Sequence, residues 1–588
     1  MDTNHVGDPG PDTVEAYNRW LRHAGMPADL LEELRQIGSD SREVEDRFYK
    51  HLEFGTGGMR GVIGAGTNRI NVYTVRRAAH GIARYLDKKG ETAKSKGVAI
   101  AYDSRKYSDV FALQVAAILA HSGNRVYLFQ HLAPTPLLSF AIRHLQASAG
   151  IVITASHNPS EYNGIKVYNE EGGQITEQDA ADIYAEIQRT GDPLLLPEED
   201  PAASDRADAI ATIGKEITEA YAQRVEQLLC QRPLIKAEGD SLSIVYTPLH
   251  GTGIQVIPDL LRRVGFSRVH LVPQQAKPDS EFPTVKAPNP EERDVFALAL
   301  SLASEKQADL VMATDPDADR LGVLVKTKHG YEMLNGNQLG ALLLHYLLEQ
   351  SSSKGRPLQN GLVLKTIVTS DLGGKIAESY GVTTENTLTG FKYIGEKIQE
   401  CQTTGSHTFV FGYEESYGYL AGDFVRDKDA VQIAVLVAEM VLVHRRRGKN
   451  LFEVLEEIYA TYGYFREELL SLTIEGRAGR QEMEESIARL RENPVKQVAG
   501  YGVHAVEDYE RRERTVIGTG ETQPLSLPRS NVIKIIMQDG SWIAVRPSGT
   551  EPKMKVYFSA YSPSSMAEAD AKMAAFQAAV PDLIGRSR

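Results

Sequence analysis

Four short stretches of this sequence gather reactive side chains at spacings that suit chemistry. In "DPDADR", Asp315, Asp317 and Asp319 bring three carboxylates within five residues. Their mutual repulsion is costly unless a cation offsets it, and oxygen-only ligands suit a hard ion, Mg²⁺ or Ca²⁺. An EF-hand needs Gly and Glu where this loop has Arg320 and Lys326, so that reading fails. Three carboxylates leave coordination positions open, which a phosphate oxygen can fill. A solvated acidic turn is the plainer alternative.

The second stretch is "TASHNPSEYNGIK", residues 154–166. Its Ser156 can be a nucleophile, a phosphate carrier or a turn residue. It is not in a G-x-S-x-G elbow. His157 is adjacent, and neighbours in an extended chain point apart, which argues against a hydrolase triad. Near Mg²⁺ a serine can carry a phosphoryl group, because the ion neutralises charge developing on the oxygens. An Asx turn after a strand is the alternative. Lys166 adds a cation or proton donor.

In "GYEESYGYLAGDFVRDKD" (412–429), Glu414 and Ser416 at i, i+2 of an extended segment project to one side. Carboxylate plus hydroxyl suits vicinal sugar hydroxyls; Arg426 and Lys428 follow. In "RPSGTEPK" (546–553), Arg546 offers a fork suited to phosphate, while Ser548, Gly549 and Thr550 offer N–H groups and hydroxyls. "FGTGGMRG" (54–61) carries Arg60 but lacks the Lys-Ser/Thr ending of a P-loop. "TGFKYIG" (389–395) offers Lys392, and His250 in "TPLHGTG" reads as structural.

Apolar strands must position these loops. "GVAIAYD" (97–103), "RVYLF" (125–129) and "AGIVIT" (149–154) read as strands, with "VFALQVAAILAHSG" as a helix. "LSIVYT", "RVHLV" and "DLVMATD" form a second set, and "GLVLKTIVT" and "HTFVFGYE" a third. The pattern predicts largely parallel α/β sheets, whose ligands gather at the carboxyl ends of strands. The tail, residues 531–560, reads as antiparallel strands joined by "DG" and "PSGTEP" turns. Residues 1–12 read as disordered, 13–37 as helical, and "SSSKGR" (351–356) as a surface loop.

With 588 residues the chain exceeds one core, and its net charge of −13 argues against general nucleic-acid binding. Cys230 and Cys401 form neither a disulfide framework nor a metal-ligand spacing. No signal peptide and no apolar run near the roughly 18 residues of a membrane helix is visible. The expectation is a cytoplasmic protein with no membrane partner.

Together, and in this order, the four loops resemble those of the α-D-phosphohexomutase superfamily, over about Phe54 to Tyr557. "TASHNP" looks like its phosphoserine loop, "DPDADR" its metal loop, "GYEES" its sugar loop and "RPSGTEPK" its phosphate loop. The resemblance implies four domains around a central cleft: three related mixed α/β domains and a C-terminal α+β domain with an antiparallel sheet. The limits are placed at 41–213, 214–328, 329–455 and 456–588, after a helical extension at 1–40.

The resemblance also implies that Ser156 carries a phosphoryl group and that Asp315, Asp317, Asp319 and a phosphoserine oxygen hold Mg²⁺. Arg60, Lys166 and Arg320 would line the reacting phosphate, with Lys166 as acid/base and His157 beside them. Glu414 and Ser416 would bind sugar hydroxyls, joined by Lys392, Arg426 and Lys428. Arg546, Ser548, Gly549 and Thr550 would hold the non-reacting phosphate.

Two departures matter. Pro316 and Ala318 replace the glycines of the "DGDGDR" metal loop, and "EESYGY" lacks the glycine-histidine ending of the mannose and glucosamine branches. Both favour the glucose-phosphate side of the superfamily, and "GFKYIG" and "GYEESYGYLAGDFVRDKDA" look most like the branch acting on glucose or pentose phosphates. The implied activity interconverts glucose 1-phosphate and glucose 6-phosphate through glucose 1,6-bisphosphate, in a monomer or small homo-oligomer. A phosphopentomutase, a phosphomannomutase, a non-catalytic phosphosugar-binding regulator and a Mg²⁺ phosphatase are the alternatives.

Overall fold

The computed structural model describes residues 11–199, 207–355, 358, 360–473, 476–547 and 553–585. They fall into two compact units. One runs up to Leu334 and includes Ile394–Gly405 and Tyr417–Val443; the other comprises Asn335–Tyr393, Ser406–Ser416 and the chain from His444.

The first unit opens with helices Pro11–Leu21, Ala28–Ile37 and Ser41–Phe48. Leu30, Leu34 and Ile37 recur at helical spacing and are buried. The Asp40 carboxylate caps the third helix, accepting from the Arg42 and Glu43 N–H groups. With Trp20, Met26 and Phe48, these residues pack on Ala65, Tyr73 and Leu194. Helix therefore begins earlier than expected: Asp12 lies in its first turn, where a carboxylate complements the helix dipole. Residues 1–10 lie outside the described residues.

A seven-stranded sheet follows, built from β1 (Phe54–Gly55), β2 (Gly58–Val62), β3 (Val98–Tyr102), β4 (Val126–Phe129), β5 (Ala149–Ile153), β6 (Tyr162–Asn169) and β7 (Ile210–Ile213), in the order β1-β2-β6-β5-β3-β4-β7. Strands β5, β3, β4 and β7 are parallel, and β5 is buried at every residue. Burial on both faces explains its unbroken apolar run. A five-stranded sheet repeats the plan with β8 (Ile244–Thr247), β9 (Val269–Leu271), β10 (Leu310–Thr314), β11 (Leu321–Thr327) and β12 (Gly330–Leu334), in the order β12-β11-β10-β8-β9.

The sheets are less parallel than expected: β1–β2, β2–β6 and β11–β12 pair antiparallel, and so do two pairs at the centre. After β5 and after β10 the chain returns directly as β6 and β11, antiparallel to the strand it left. The loops at 154–161 and 315–320 are shorter than the roughly dozen residues a parallel crossover requires. Both loops therefore leave the carboxyl end of a central strand, and each is pinned at its two ends.

In the second unit, strands Thr383–Thr387, Gly361–Thr366 and Thr408–Tyr413 are parallel neighbours in that order. Ser351–Ser353 are not loop but the last turn of helix Gly336–Ser353, which starts from an Asn335/Gln338 capping box. Antiparallel strands Tyr464–Thr473, Lys553–Ser562, Trp542–Pro547, Ile533–Met537 and Tyr501–Asp508 run side by side in that order in the last sheet, which continues through Glu513–Val516 and Thr522–Pro524, with Gln497–Val498 also paired to Tyr501–Asp508. Its "DG" turn is present: Asp539 Oδ1 accepts from the Ser541 N–H and Gly540 adopts φ +89°. Among the described residues, no helix is long and apolar enough to cross a membrane.

Candidate active site

The loop after β5 bends at once. Ser156 adopts φ +53°, the left-handed region, and its N–H donates to Thr154 Oγ1 at 2.8 Å. The expectation that Ser156 and His157 point apart assumed extended backbone; this bend removes it. His157 Nδ1 lies 3.4 Å from Ser156 Oγ. Burial, with Arg320 and Arg60 nearby, holds the imidazole well below its ordinary pKa, so it is neutral.

Ser156 Oγ donates to Asp315 Oδ2 at 2.8 Å, joining the loops of the two sheets. The other Asp315 oxygen accepts from the Asp319 and Arg320 N–H groups at 3.1 and 3.0 Å. Asp317 Oδ2 accepts from Lys166 Nζ at 2.7 Å and from Thr135 Oγ1 at 3.1 Å. Asp319 Oδ2 lies 3.4 Å from Lys166 Nζ and 3.2 Å from Lys428 Nζ. One oxygen of each aspartate can be chosen so that all three lie within 4.8 Å of one another, and all three residues are buried. Asp317 Oδ1 and Asp319 Oδ1 are buried with no hydrogen-bond partner. A buried cluster of three carboxylates that leaves two oxygens unpartnered fits a hard divalent cation.

The charges agree. Burial and the neighbouring Asp317 and Asp319 push the Asp315 carboxyl well above its ordinary value. Burial also opposes ionisation of Asp317, but Lys166, Asp315 and Lys428 together outweigh it and hold that carboxyl below the usual range. Burial disfavours the Lys166 ammonium, yet Asp317 and Asp319 raise its pKa overall. The resting site is an interlocked set of acid and base, not a solvated acidic turn.

Register explains why Lys166 arrives here. On β6 it pairs with Val152 of β5 on one side and Gly58 of β2 on the other. Arg60 of β2 reaches the serine loop, its Nη1 donating to Asn158 Oδ1 at 2.9 Å. The guanidinium of Arg320 is held by Glu291. Pro316, where the related loop has glycine, lies against Gly251: a Cβ on Gly251 would stand 2.3 Å from Pro316 Cα. Ala318 adopts φ +50°, so it occupies a glycine-like conformation without being glycine. His250 is satisfied by Lys277 O and Thr284 Oγ1, at 3.1 and 2.8 Å, as its structural reading requires.

The remaining candidates divide. Lys428 joins the metal loop, whereas the Arg426 guanidinium is fully buried on Gln399, Gln402 and the carbonyls of Asp423 and Val425. In the second unit Glu414 and Ser416 are not in extended chain: the strand ends at Tyr413 and Glu415–Ser416 turn. Alternation therefore does not place them. Glu414 is buried, accepting from the Gly390 N–H at 2.8 Å, and Lys392 Nζ sits 4.9 Å from the Tyr393 ring centroid. Arg546 lies at the end of its strand beside the phenol of Tyr557. Ser548, Gly549 and Thr550 lie outside the described residues. Thr135 and Glu291 were not foreseen because each lies far in sequence from the motif it supports; Tyr557, four residues past its motif, carries no signal of its own.

The sequence matches four family models, described as phosphoglucomutase/phosphomannomutase alpha/beta/alpha domain I (residues 51–193), domain II (219–330), domain III (335–462) and C-terminal domain (480–576). It is 41% identical over 519 residues to a phosphoglucomutase of Staphylococcus haemolyticus, covering 88% of this chain and 91% of the relative. It is 39% identical over 546 residues to a phosphoglucomutase of Staphylococcus aureus, covering 92% and 95%. Among solved structures, Paramecium pp63/parafusin (phosphoglucomutase) in its open form aligns with TM-score 0.67 at 17% identity, over 92% of this chain and 96% of that one. That likeness is one of fold.

Proposed function

The chain belongs to the phosphoglucomutase/phosphomannomutase family, and on that premise we propose that it is a phosphoglucomutase, an isomerase that interconverts glucose 1-phosphate and glucose 6-phosphate. One observation carries the reading: Ser156 Oγ is held 2.8 Å from Asp315, in a loop whose other two aspartates converge with it.

Ser156 carries the phosphoryl group. It passes from Ser156 Oγ to the free hydroxyl of the bound monophosphate, giving glucose 1,6-bisphosphate; after the sugar reverses, Ser156 Oγ takes the other phosphate back. Asp315, Asp317 and Asp319 would hold Mg²⁺, which when bound neutralises charge on the moving phosphoryl. Lys166, an ammonium between Asp317 and Asp319, is the proton-transfer residue: it protonates the departing Ser156 Oγ, and the amine that results takes up the proton lost by the attacking sugar hydroxyl. Arg60 and Arg320 hold the reacting phosphate, and the neutral His157 faces the serine. Glu414, Ser416 and Lys392 bind the sugar, while Arg546, Ser548, Gly549 and Thr550 hold the distal phosphate.

The test is a substrate panel of glucose, mannose and pentose phosphates with Mg²⁺ and glucose 1,6-bisphosphate, run on wild type and Ser156→Ala. Preference for glucose phosphates, lost in S156A, is expected. Normal turnover by S156A would end the phosphoserine reading, and a pentose preference the choice of sugar.

A further inference from the structure

Behind the Ser156 loop lies an arginine that no motif in the sequence singles out. Arg105 follows β3, whose end is adjacent to the end of β5: Tyr102 pairs with Ile153, and the Asp103 N–H donates to Ile153 O at 3.1 Å. Its side chain is fully buried. Nη1 donates to Pro159 O at 2.6 Å and Tyr162 O at 2.9 Å, and Nη2 donates to Ser156 O at 2.6 Å and to Asn158 O. One guanidinium thus binds three carbonyls of the serine loop and that of Tyr162, the first residue of β6.

The guanidinium is itself fixed. Its Nε faces Asp103 Oδ2 at 3.3 Å, and its plane lies over Phe282, 4.9 Å from the ring centroid. The other Asp103 oxygen accepts from the Arg105 N–H at 2.9 Å and from Ser108 Oγ at 2.7 Å. A rigid planar fork with five donors meets this demand; the three-donor ammonium of lysine does not.

We infer that Arg105, aligned by Asp103, is a positioning residue that holds Ser156 in its left-handed conformation, so that Oγ faces the aspartate loop in both the free and the phosphorylated state. The carbonyl of Ser156 is the pinned group, and fixing it fixes the peptide plane that follows φ +53°. Released, the residue would relax toward ordinary backbone and swing Oγ away from Asp315. The bonds of the Arg105 side chain go to the serine loop, Tyr162 and Asp103, and not to Asp315, Asp317 or Asp319. The inference rests on Ser156 as the phosphoryl carrier.

The experiment follows phosphoryl uptake by intact mass after incubation with glucose 1,6-bisphosphate and Mg²⁺, alongside steady-state kinetics. Arg105→Lys is expected to lower uptake rate and kcat by about 10²-fold, the scale of an ångström-sized misplacement, while KM for glucose 1-phosphate stays within about twofold. Arg105→Ala should recover part of its uptake rate with millimolar guanidinium ion, which a general packing defect would not. Asp103→Asn, which keeps shape, should lower kcat in the same direction by less, and carries the test if the Arg105 variants melt. If folded R105K or D103N matched wild type in uptake and kcat, the inference would be overturned. If S156A still took up one phosphate, the serine reading would fail instead.

Discussion

Lys166 Nζ stands 2.7 Å from Asp317 Oδ2, joining β6 of one sheet to the loop between β10 and β11 of another in the same unit. The contact makes the lysine's charge part of the metal loop. Proton transfer and charge compensation are separable by substitution. Lys166→Arg keeps the charge but cannot release a proton near neutral pH. Both K166R and K166M are expected to lose about 10²- to 10⁴-fold in kcat, read as the rate of glucose 6-phosphate formation. An active K166R would reduce Lys166 to a counter-ion.

The unpartnered Oδ1 atoms of Asp317 and Asp319 make metal binding testable without turnover. Mg²⁺ should raise the melting temperature of the wild-type chain, by about 2.7 kcal/mol of stabilisation at a hundred times its Kd. Asp317→Asn should flatten that response. Chelation should abolish turnover and added Mg²⁺ restore it.

Two glycine substitutions should have opposite outcomes. Gly251→Ala places a methyl 2.3 Å from Pro316 Cα, backbone that cannot yield without moving the aspartates beside it. A loss of about tenfold or more in kcat is expected, with weaker Mg²⁺ dependence. Gly374 lies inside helix Leu372–Ser379, and an added Cβ there meets nothing within 4 Å. Gly374→Ala should stabilise by about 0.5–1 kcal/mol and leave kcat unchanged. Thermal melts and initial rates check both.

Asp429 gives a pH prediction away from the metal ligands. It is fully buried, accepts from Tyr221 Oη and from the Val431 and Gln432 N–H groups, and burial pushes its carboxyl up to about 6. An unfolded aspartate titrates near 3.9, so between that value and about 6 the folded state binds more protons. Stability from this group is therefore present below pH ~4 and lost as pH rises through about 6, by at most about 3 kcal/mol. Asp429→Asn removes the loss. The melting temperature of D429N relative to wild type should rise from pH 4.5 to pH 7.5; a gap constant with pH would refute the assignment.

Much of the site was legible because apolar strands empty into polar loops. "AGIVIT" and "DLVMATD" announce β5 and β10, and the residues that follow are the ones the structure brings together. Three things were hidden. The left-handed turn at Ser156 has no glycine to signal it, so His157 was placed on the wrong side of the serine. The Glu414–Ser416 turn defeated an argument from strand alternation, because the strand stops one residue earlier. Arg426 and Lys428 look alike in sequence, yet only Lys428 reaches the aspartates; Gln399 and Gln402, which enclose Arg426, lie about one helical turn apart and some 25 residues upstream. Such partners are set by packing, which periodicity does not encode.

The first three helices lie ahead of the family match at residues 51–193, yet they reach into it. Glu33 accepts from the Ala65 N–H at 2.8 Å, Asp46 pairs with Arg69, and Asp29 accepts from Tyr107, two residues past Arg105. Trp20 packs edge-on to Tyr73. In this chain the first α/β domain is consequently not a portable module. Grafted into a relative, or expressed from residue 51, it would carry a bare patch at Ala65, Tyr73 and Leu194 and come out insoluble rather than merely slower.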